Sequence, residues 1–180
     1  MIDCIVVDVE TTGLVPGVHQ IVSIGAVCSK TGEEFYKECS IFHHNEMSTQ
    51  ALNINGFTED QVRNVNKPNP LDIYIEFLAW CKGRSKILAG HNIGSFDVQF
   101  LKHLHELHNE TTPTEWPFKY HYIDLHSMAV LHYKESLSHS KIAVRLGLEP
   151  EPSPHNALAG ARSEFNCIKK LLEVYHESQV

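Results

Sequence analysis

Apolar positions along the first forty residues fall in short runs, and after that mostly at helical spacing. Asp3–Asp8 (DCIVVD) is a continuous apolar stretch bounded by acids, the pattern of a strand buried on both faces. Gln20–Cys28 (QIVSIGAVC), a Lys30-Thr31-Gly32 turn and a partly alternating stretch over Glu34–Phe42 follow, which predicts a meander closed by a hairpin. Thr58 is placed to cap a short helix. Beyond Pro68 and Pro70, the recurrence of Leu71, Tyr74, Ile75, Leu78 and Cys81 predicts a helix that Gly83 ends. Lys86–Ala89 reads as a short strand, and Ser95 as the cap of a helix carrying Phe96, Phe100, Leu104 and Leu107. A polar loop over Asn109–Trp116 leads to a strand near Tyr120–Ile123. Asp124 and Ser136 are each expected to cap a further helix, the second ending at Gly147. Ser153-Pro154 is expected to open a long last helix, with Leu158, Ala161, Phe165, Ile168, Leu172 and Tyr175 as its core stripe.

Strands first, then strands alternating with helices, predict a mixed α/β sheet flanked by helices. No repeat or linker divides the chain, so residues 1–180 are expected to form one domain. A chain of 180 residues can bury roughly 70% of its unfolded surface in one core. No apolar run approaches the roughly 18 residues of a membrane-spanning helix. Met1-Ile2-Asp3-Cys4 places an acid where a signal peptide carries positive charge, which predicts an intracellular, cytoplasmic protein without a membrane partner. The cysteines (Cys4, Cys28, Cys39, Cys81, Cys167) are widely spaced with no CxxC, as expected of small buried hydrophobes in a reducing compartment. Thirteen histidines invite a metal reading, but His103, His105 and His108 lack the HExxH spacing, and the adjacent His43 and His44 point apart in a strand. They are expected on a solvated surface.

Three polar segments interrupt this pattern. Asp8-Val9-Glu10-Thr11-Thr12-Gly13 ends the first strand, and residues two apart on a strand project to one side. Asp8 and Glu10 therefore repel unless a cation lies between them, and oxygen ligands suit hard ions such as Mg²⁺ or Mn²⁺. The Thr-Thr-Gly turn offers backbone amides nearby. The second segment, Gly90-His91-Asn92-Ile93-Gly94-Ser95-Phe96-Asp97, follows a strand and puts Asp97 in a first helical turn. The third, His155-Asn156-Ala157-Leu158-Ala159-Gly160-Ala161, sets a histidine at a helix start, where it could take a proton from water. Each alone also reads as ordinary structure: a solvated strand end, an acid favoured by the helix dipole, a solvated first-turn histidine.

Together, DxETTG, GHNxxxFD and HxAL in that order resemble the DnaQ-like family of 3′-to-5′ exonucleases, the DEDDh group. The match covers nearly the whole chain, and Asp124-Leu125 and Ser136-Leu137 with Leu146-Gly147-Leu148 are similar to that family's connecting segments. The resemblance implies an RNase H-like fold with a mixed five-stranded sheet. It implies removal of nucleotides from single-stranded 3′ ends by two divalent ions, Mg²⁺ or Mn²⁺, one activating water and the other stabilising the leaving oxygen. By position, Asp8 would bridge the metals, Glu10 and Asp97 would complete their shells, and His155 would be the general base. Glu10 and the Thr11 backbone would meet the terminal 3′-hydroxyl, with Thr12 and Gly13 in the same turn. Leu14 would pack on the terminal base, and His91, Asn92 and Phe96 would line the path of the strand.

One position departs. The family pattern is HxALxDA, and here Gly160 stands where the aspartate belongs. Asp8, Glu10, Asp97 and a scissile phosphate still balance two divalent ions in charge, but a ligand is lost, and lesser losses around metals cost roughly 10–100-fold. A weakened metal site is therefore expected. Glu164 lies one turn further along the same helix, a rise of about 6 Å that is long for a glutamate to span. Two functions compete: a metal-dependent exonuclease, weakened at Gly160, and an inactive binding module of the same fold that holds nucleic acid or protein. The intact Asp8, Glu10, Asp97 and His155 favour the enzyme. A net charge of −7 argues against gripping duplex by counterion release, and favours a pocket that takes a few nucleotides of a single-stranded 3′ end of DNA or RNA. A polymerase or a second copy of the chain is the protein partner such a domain could take.

Overall fold

The protein is described by a computed structural model over residues 2–177; Met1, which heads the N-terminal reading above, and residues 178–180 lie outside it. β1 (Ile5–Thr11) is built on Ile5, Val6, Val7 and Val9, β-branched residues that suit a pleated surface buried on both sides. It extends past the expected end at Asp8, so Asp8 and Glu10 lie within the strand. β2 (Ile21–Cys28) pairs antiparallel with β1, setting Asp8 opposite Gly25, and β3 (Glu34–Glu38) pairs antiparallel with β2. β3 stops short of Phe42 because Ser40 and Ile41 donate their amides away from the sheet, to Pro68 and Val62. On its other side β1 runs parallel to β4 (Leu88–Gly90), which runs parallel to β5 (Ile123–Asp124). The resulting order, β3-β2-β1-β4-β5, is the mixed five-stranded sheet expected.

Successive β1 residues face opposite layers. Ile5, Val7 and Val9 pack with Tyr74 and Phe77 of α3 (Pro70–Cys81) and Phe100 and Leu104 of α4 (Asp97–Asn109). Val6 faces Leu125 and Ala129 of α5 (Leu125–Tyr133), Ile142 of α6 (His139–Arg145) and Cys167 and Ile168 of α7 (Ala157–Glu177). Asp8 and Glu10 continue this second face. Two short helices, α1 (Thr49–Asn55) and α2 (Glu59–Val62), cross the end of the sheet. Thr58 caps α2 as expected, whereas α1, with too few apolar positions to form a stripe, left no periodic signal. Among the described residues no helix is long and apolar enough to cross a membrane.

Several expected caps move. Phe96 occupies the cap position of α4, while the Ser95 hydroxyl donates to Asn92 O at 3.0 Å. Ser138 precedes α6, and Ser136 instead meets His126 Nε2 at 2.9 Å. α7 starts at Ala157 rather than beside Pro154, because Asn156 Oδ1 accepts from the Leu158 and Ala159 amides. Its buried face is also rotated from the expected stripe: Ala157, Gly160, Ala161, Glu164, Cys167, Ile168 and Leu171 face inward, and Tyr175 is exposed. Small residues explain the rotation, since they let the helix lie close on β2. A Cβ on Gly25 would collide with the backbone of Ala157 and Leu158. His105 is likewise buried, its Nδ1 3.1 Å from the Tyr74 hydroxyl, and not on the solvated surface expected of it.

Candidate active site

β1 and β4 pair only through Ile5–Val6 and Leu88–Ala89. β4 ends at Gly90 while β1 runs on, and a cleft of about 380 Å³ lies at the carboxyl ends of the two strands, where open α/β sheets hold ligands. Its walls include Asp8, His91, Asn92, Ser95, Phe96, Asp97, His139, Glu151, His155 and Glu164. Asp97, the first residue of α4, reaches across the gap, and its Oδ1 accepts from Val9 N at 3.0 Å. Asp8 points up toward α7, and Glu10, two residues on, projects from the same face.

Above Asp8 sits Gly160. A Cβ there would overlap Asp8 Oδ2 and lie 3.1 Å from Glu151 Oε1. Glu151 comes from the loop between α6 and α7. Its side chain is 7% exposed, and Oε2 is 3.5 Å from Nδ1 of both His139 and His155. Glu151 Oε1 is buried with no hydrogen-bond partner. Ligand atoms of Glu10, Glu151 and His155 all lie within 4.8 Å of one another. Glu164 enters from α7, is 5% exposed, and its Oε1 accepts from His91 N at 3.1 Å while Oε2 has no partner. Its reach does not need to span the helical rise, because α7 lies so close that the carboxylate inserts beside Gly90, where a Cβ would be 3.2 Å from Oε2.

Crowding of acids sets the protonation. Burial pushes the Asp8 carboxyl well above the ordinary carboxylate range, and Glu164, Asp97, Glu10 and Glu151 add to the rise. Burial, then the charges of Glu151 and Asp97, lift Glu10 to about 8. Burial raises Asp97 to about 7 despite the opposing amides of Asp97 and Val9. Glu164 is driven well up by burial and by Asp97, against the His91 amide. No lysine or arginine is among the cleft-lining residues named above. Five carboxylates with two orphaned buried oxygens form a hard, all-oxygen donor set that suits a divalent cation.

The remaining expected residues distribute unevenly. His91, Asn92 and Phe96 line the cleft; His91 stacks on His139 with ring centroids 5.9 Å apart, and Phe96 leans on Phe100. Burial lowers the basicity of His91. His155, in the loop just before α7, is half-buried, and its amide donates to Ile54 O. Thr11 donates its hydroxyl to Gly13 O, Gly13 packs under the His19 ring, and Leu14 stands 78% exposed on the loop that follows. Thr12 is fully buried, with its hydroxyl donating to Glu46 O and accepting from Gln20 N, so it braces the turn and presents no side chain to the cleft. Glu151 and His139 had no sequence signal: an acid in a proline-rich loop and one histidine among thirteen carry no periodicity.

Comparison with known proteins extends these observations. The chain matches the exonuclease family model (RNase_T) over residues 5–164. It is 29% identical over 172 residues to the PolC-type DNA polymerase III of Thermotoga petrophila, covering 94% of this chain and 12% of that protein. With the PolC-type DNA polymerase III of Bacillus subtilis it shares 35% identity over 98 residues, covering 54% of this chain and 6% of that protein. The chain thus corresponds to a small segment of these curated relatives. Among solved structures, E. coli exonuclease I in complex with an oligonucleotide superposes with a TM-score of 0.75 at 18% identity, over 94% of this chain and 40% of that one. The nuclease domain of 3′hExo, a DEDDh family member bound to rAMP, superposes with a TM-score of 0.71 at 18% identity, over 94% and 91%. The fold is therefore RNase H-like.

Proposed function

Because the chain belongs to the exonuclease family of DnaQ-like 3′-to-5′ nucleases, we propose that its cleft hydrolyses phosphodiester bonds one nucleotide at a time from single-stranded 3′ ends, in the presence of Mg²⁺ or Mn²⁺. The observation that carries this reading is the convergence of Asp8, Glu10, Asp97, Glu151, Glu164 and His155 on one cleft at the carboxyl edge of a mixed sheet. The reading treats the chain as one catalytic domain. Likeness to a segment of PolC-type polymerases supports a polymerase as its protein partner.

Asp8, Glu10 and Asp97 would hold the divalent ions. Such ions supply positive charge to the phosphate and make water a stronger acid when bound. His155 stands at the cleft, where its imidazole accepts the proton that attacking water gives up. Once protonated, it is held by the Glu151 carboxylate 3.5 Å from Nδ1. Phe96 supplies an apolar face inside the cleft and Leu14 one on the exposed loop, and nucleotide bases stack or pack on such surfaces. The missing carboxylate at Gly160 is expected to weaken the metal site to the extent that no other group replaces it.

A 5′-labelled single strand, as DNA and as RNA, incubated with Mg²⁺ or Mn²⁺ tests the proposal. Stepwise shortening from the 3′ end is expected, abolished by EDTA and reduced at least 100-fold by Asp8→Asn. Internal cleavage would overturn it in favour of an endonuclease, and no shortening of either strand would overturn it in favour of a binding module.

A further inference from the structure

We propose that Glu151 supplies the carboxylate that position 160 lacks, and that Gly160 is the space this replacement needs. The inference rests on the metal-dependent reading above and deepens it. The point a Cβ would occupy at 160 is overlapped by Asp8 Oδ2 and lies 3.1 Å from Glu151 Oε1. A side chain at 160 therefore displaces the Asp8 carboxylate and presses on Glu151 Oε1, so helix and loop approach the same space above Asp8. Any residue larger than glycine at 160 has to displace one or the other.

The second argument is the state of Glu151 itself. Its side chain is 7% exposed, yet Oε1 has no hydrogen-bond partner. Leaving a buried carboxylate oxygen unpaired is costly, and a bound cation is one partner that removes that cost. The two oxygens are divided in function. Oε2 faces the imidazoles of His139 and His155 at 3.5 Å, which fixes the orientation of the group, and Oε1 is left facing Asp8 and the space at 160. Ligand atoms of Glu10, Glu151 and His155 all lie within 4.8 Å of one another, so Glu151 stands beside both a carboxylate assigned to the ions and the histidine assigned to the water. Glu164 also keeps one unpartnered buried oxygen, but its carboxylate lies beside Gly90 on the β4 side of the cleft, whereas Glu151 Oε1 is the carboxylate oxygen next to position 160.

Chemically, the exchange moves the fourth carboxylate from a helix to a loop and lengthens it by one methylene. It also ties the metal centre to His155, because one glutamate touches both. The replaced site is then complete rather than weakened, and restoring an aspartate at 160 without removing Glu151 crowds Asp8.

The test is titration calorimetry of Mn²⁺ into the metal-free full chain, with thermal unfolding of each variant to confirm folding. Glu151→Gln is expected to weaken Mn²⁺ binding roughly 10–100-fold. Adding Gly160→Asp to Glu151→Gln is expected to recover most of that loss, whereas Gly160→Asp alone does not improve on the parent. Glu151→Asp, which keeps the charge but shortens the reach, is expected to fall between, and serves if the glutamine variant does not fold. Parental affinity in Glu151→Gln, alongside lost affinity in Asp8→Asn, would overturn the role of Glu151 alone. Parental affinity in Asp8→Asn would overturn the metal reading beneath it as well.

Discussion

At the scale of single residues, the cleft concentrates acids whose protons are held by burial and mutual repulsion. Glu10 is raised from 4.5 to about 8 and Asp97 from 3.8 to about 7. A carboxyl with a raised folded value binds more protons in the native than in the unfolded chain between those limits, so the slope of stability with pH is negative there. The stabilisation is fully present below the unfolded values near 4 and is lost as pH rises through about 7 and 8. Metal-free protein is therefore expected to melt at progressively lower temperature as pH rises from about 5 to about 8.5, and Mn²⁺ to raise the melting temperature most at the alkaline end. A melting temperature that climbs over this range without metal would contradict the placement of these carboxyls. Glu164→Gln removes one charge beside Asp8 and Asp97 and keeps an acceptor for the His91 amide. It is expected to stabilise the metal-free protein near pH 8, read as a higher urea midpoint. Asp8, Glu10 and Asp97 were legible in the sequence because each is tied to a local feature, a strand end or a helix start. Glu151 was not, since it reaches the cleft only through the path of its loop.

At the scale of elements, the position of α7 decides the site. Close contact between its small face and Gly25 of β2 places Gly160 over Asp8 and turns Glu164 inward. Gly25→Val puts a side chain into the backbone of Ala157, and overpacking of this kind costs about 1–3 kcal/mol or more. Urea unfolding should show that loss together with weaker metal binding; unchanged stability would mean the helix is not seated on β2. The start of α7 can be tested separately. Asn156→Ala removes the side chain that accepts from Leu158 and Ala159 and is expected to cost about 1 kcal/mol, while Ser153→Ala should stay within about 0.5 kcal/mol. The sequence expectation had the cap at Ser153 because a proline follows it. Apolar spacing likewise located α7 but mis-rotated its face, since large apolar residues draw the stripe on paper while small ones set the distance of approach.

At the scale of the whole molecule, the proposed function asks an acidic chain of net charge −7 to hold a polyanion. Counterion release by lysines and arginines cannot supply most of that affinity, since no lysine or arginine is among the residues named as lining the cleft. On that reading, divalent ions held by the carboxylates would supply the attraction to the phosphates. Fluorescence anisotropy with a single strand bearing nuclease-resistant phosphorothioate linkages at its 3′ end is expected to show at least about tenfold weaker binding in EDTA than in Mg²⁺. Equal affinity in the two conditions would point to a metal-independent surface elsewhere on the protein. The sheet order explains why the cleft is where it is: β1 is antiparallel to β2 and parallel to β4, and β4 ends at Gly90 while β1 runs on to Thr11.

The linear sequence determined the strands, most of the helices, the layered α/β class and three of the clustered acids, because hydrophobic period and strand-end or helix-start position are local properties. It also determined the family, through ordered motifs that span the chain. Tertiary structure alone decided which residues share the cleft beyond those motifs. Whether Glu164 reaches the sheet depends on how closely α7 packs against Gly25, and whether Glu151 reaches Asp8 depends on the loop that returns from α6. Both are distances between segments far apart in the chain. They are set by the volumes of the residues between them, which no periodicity along one segment records.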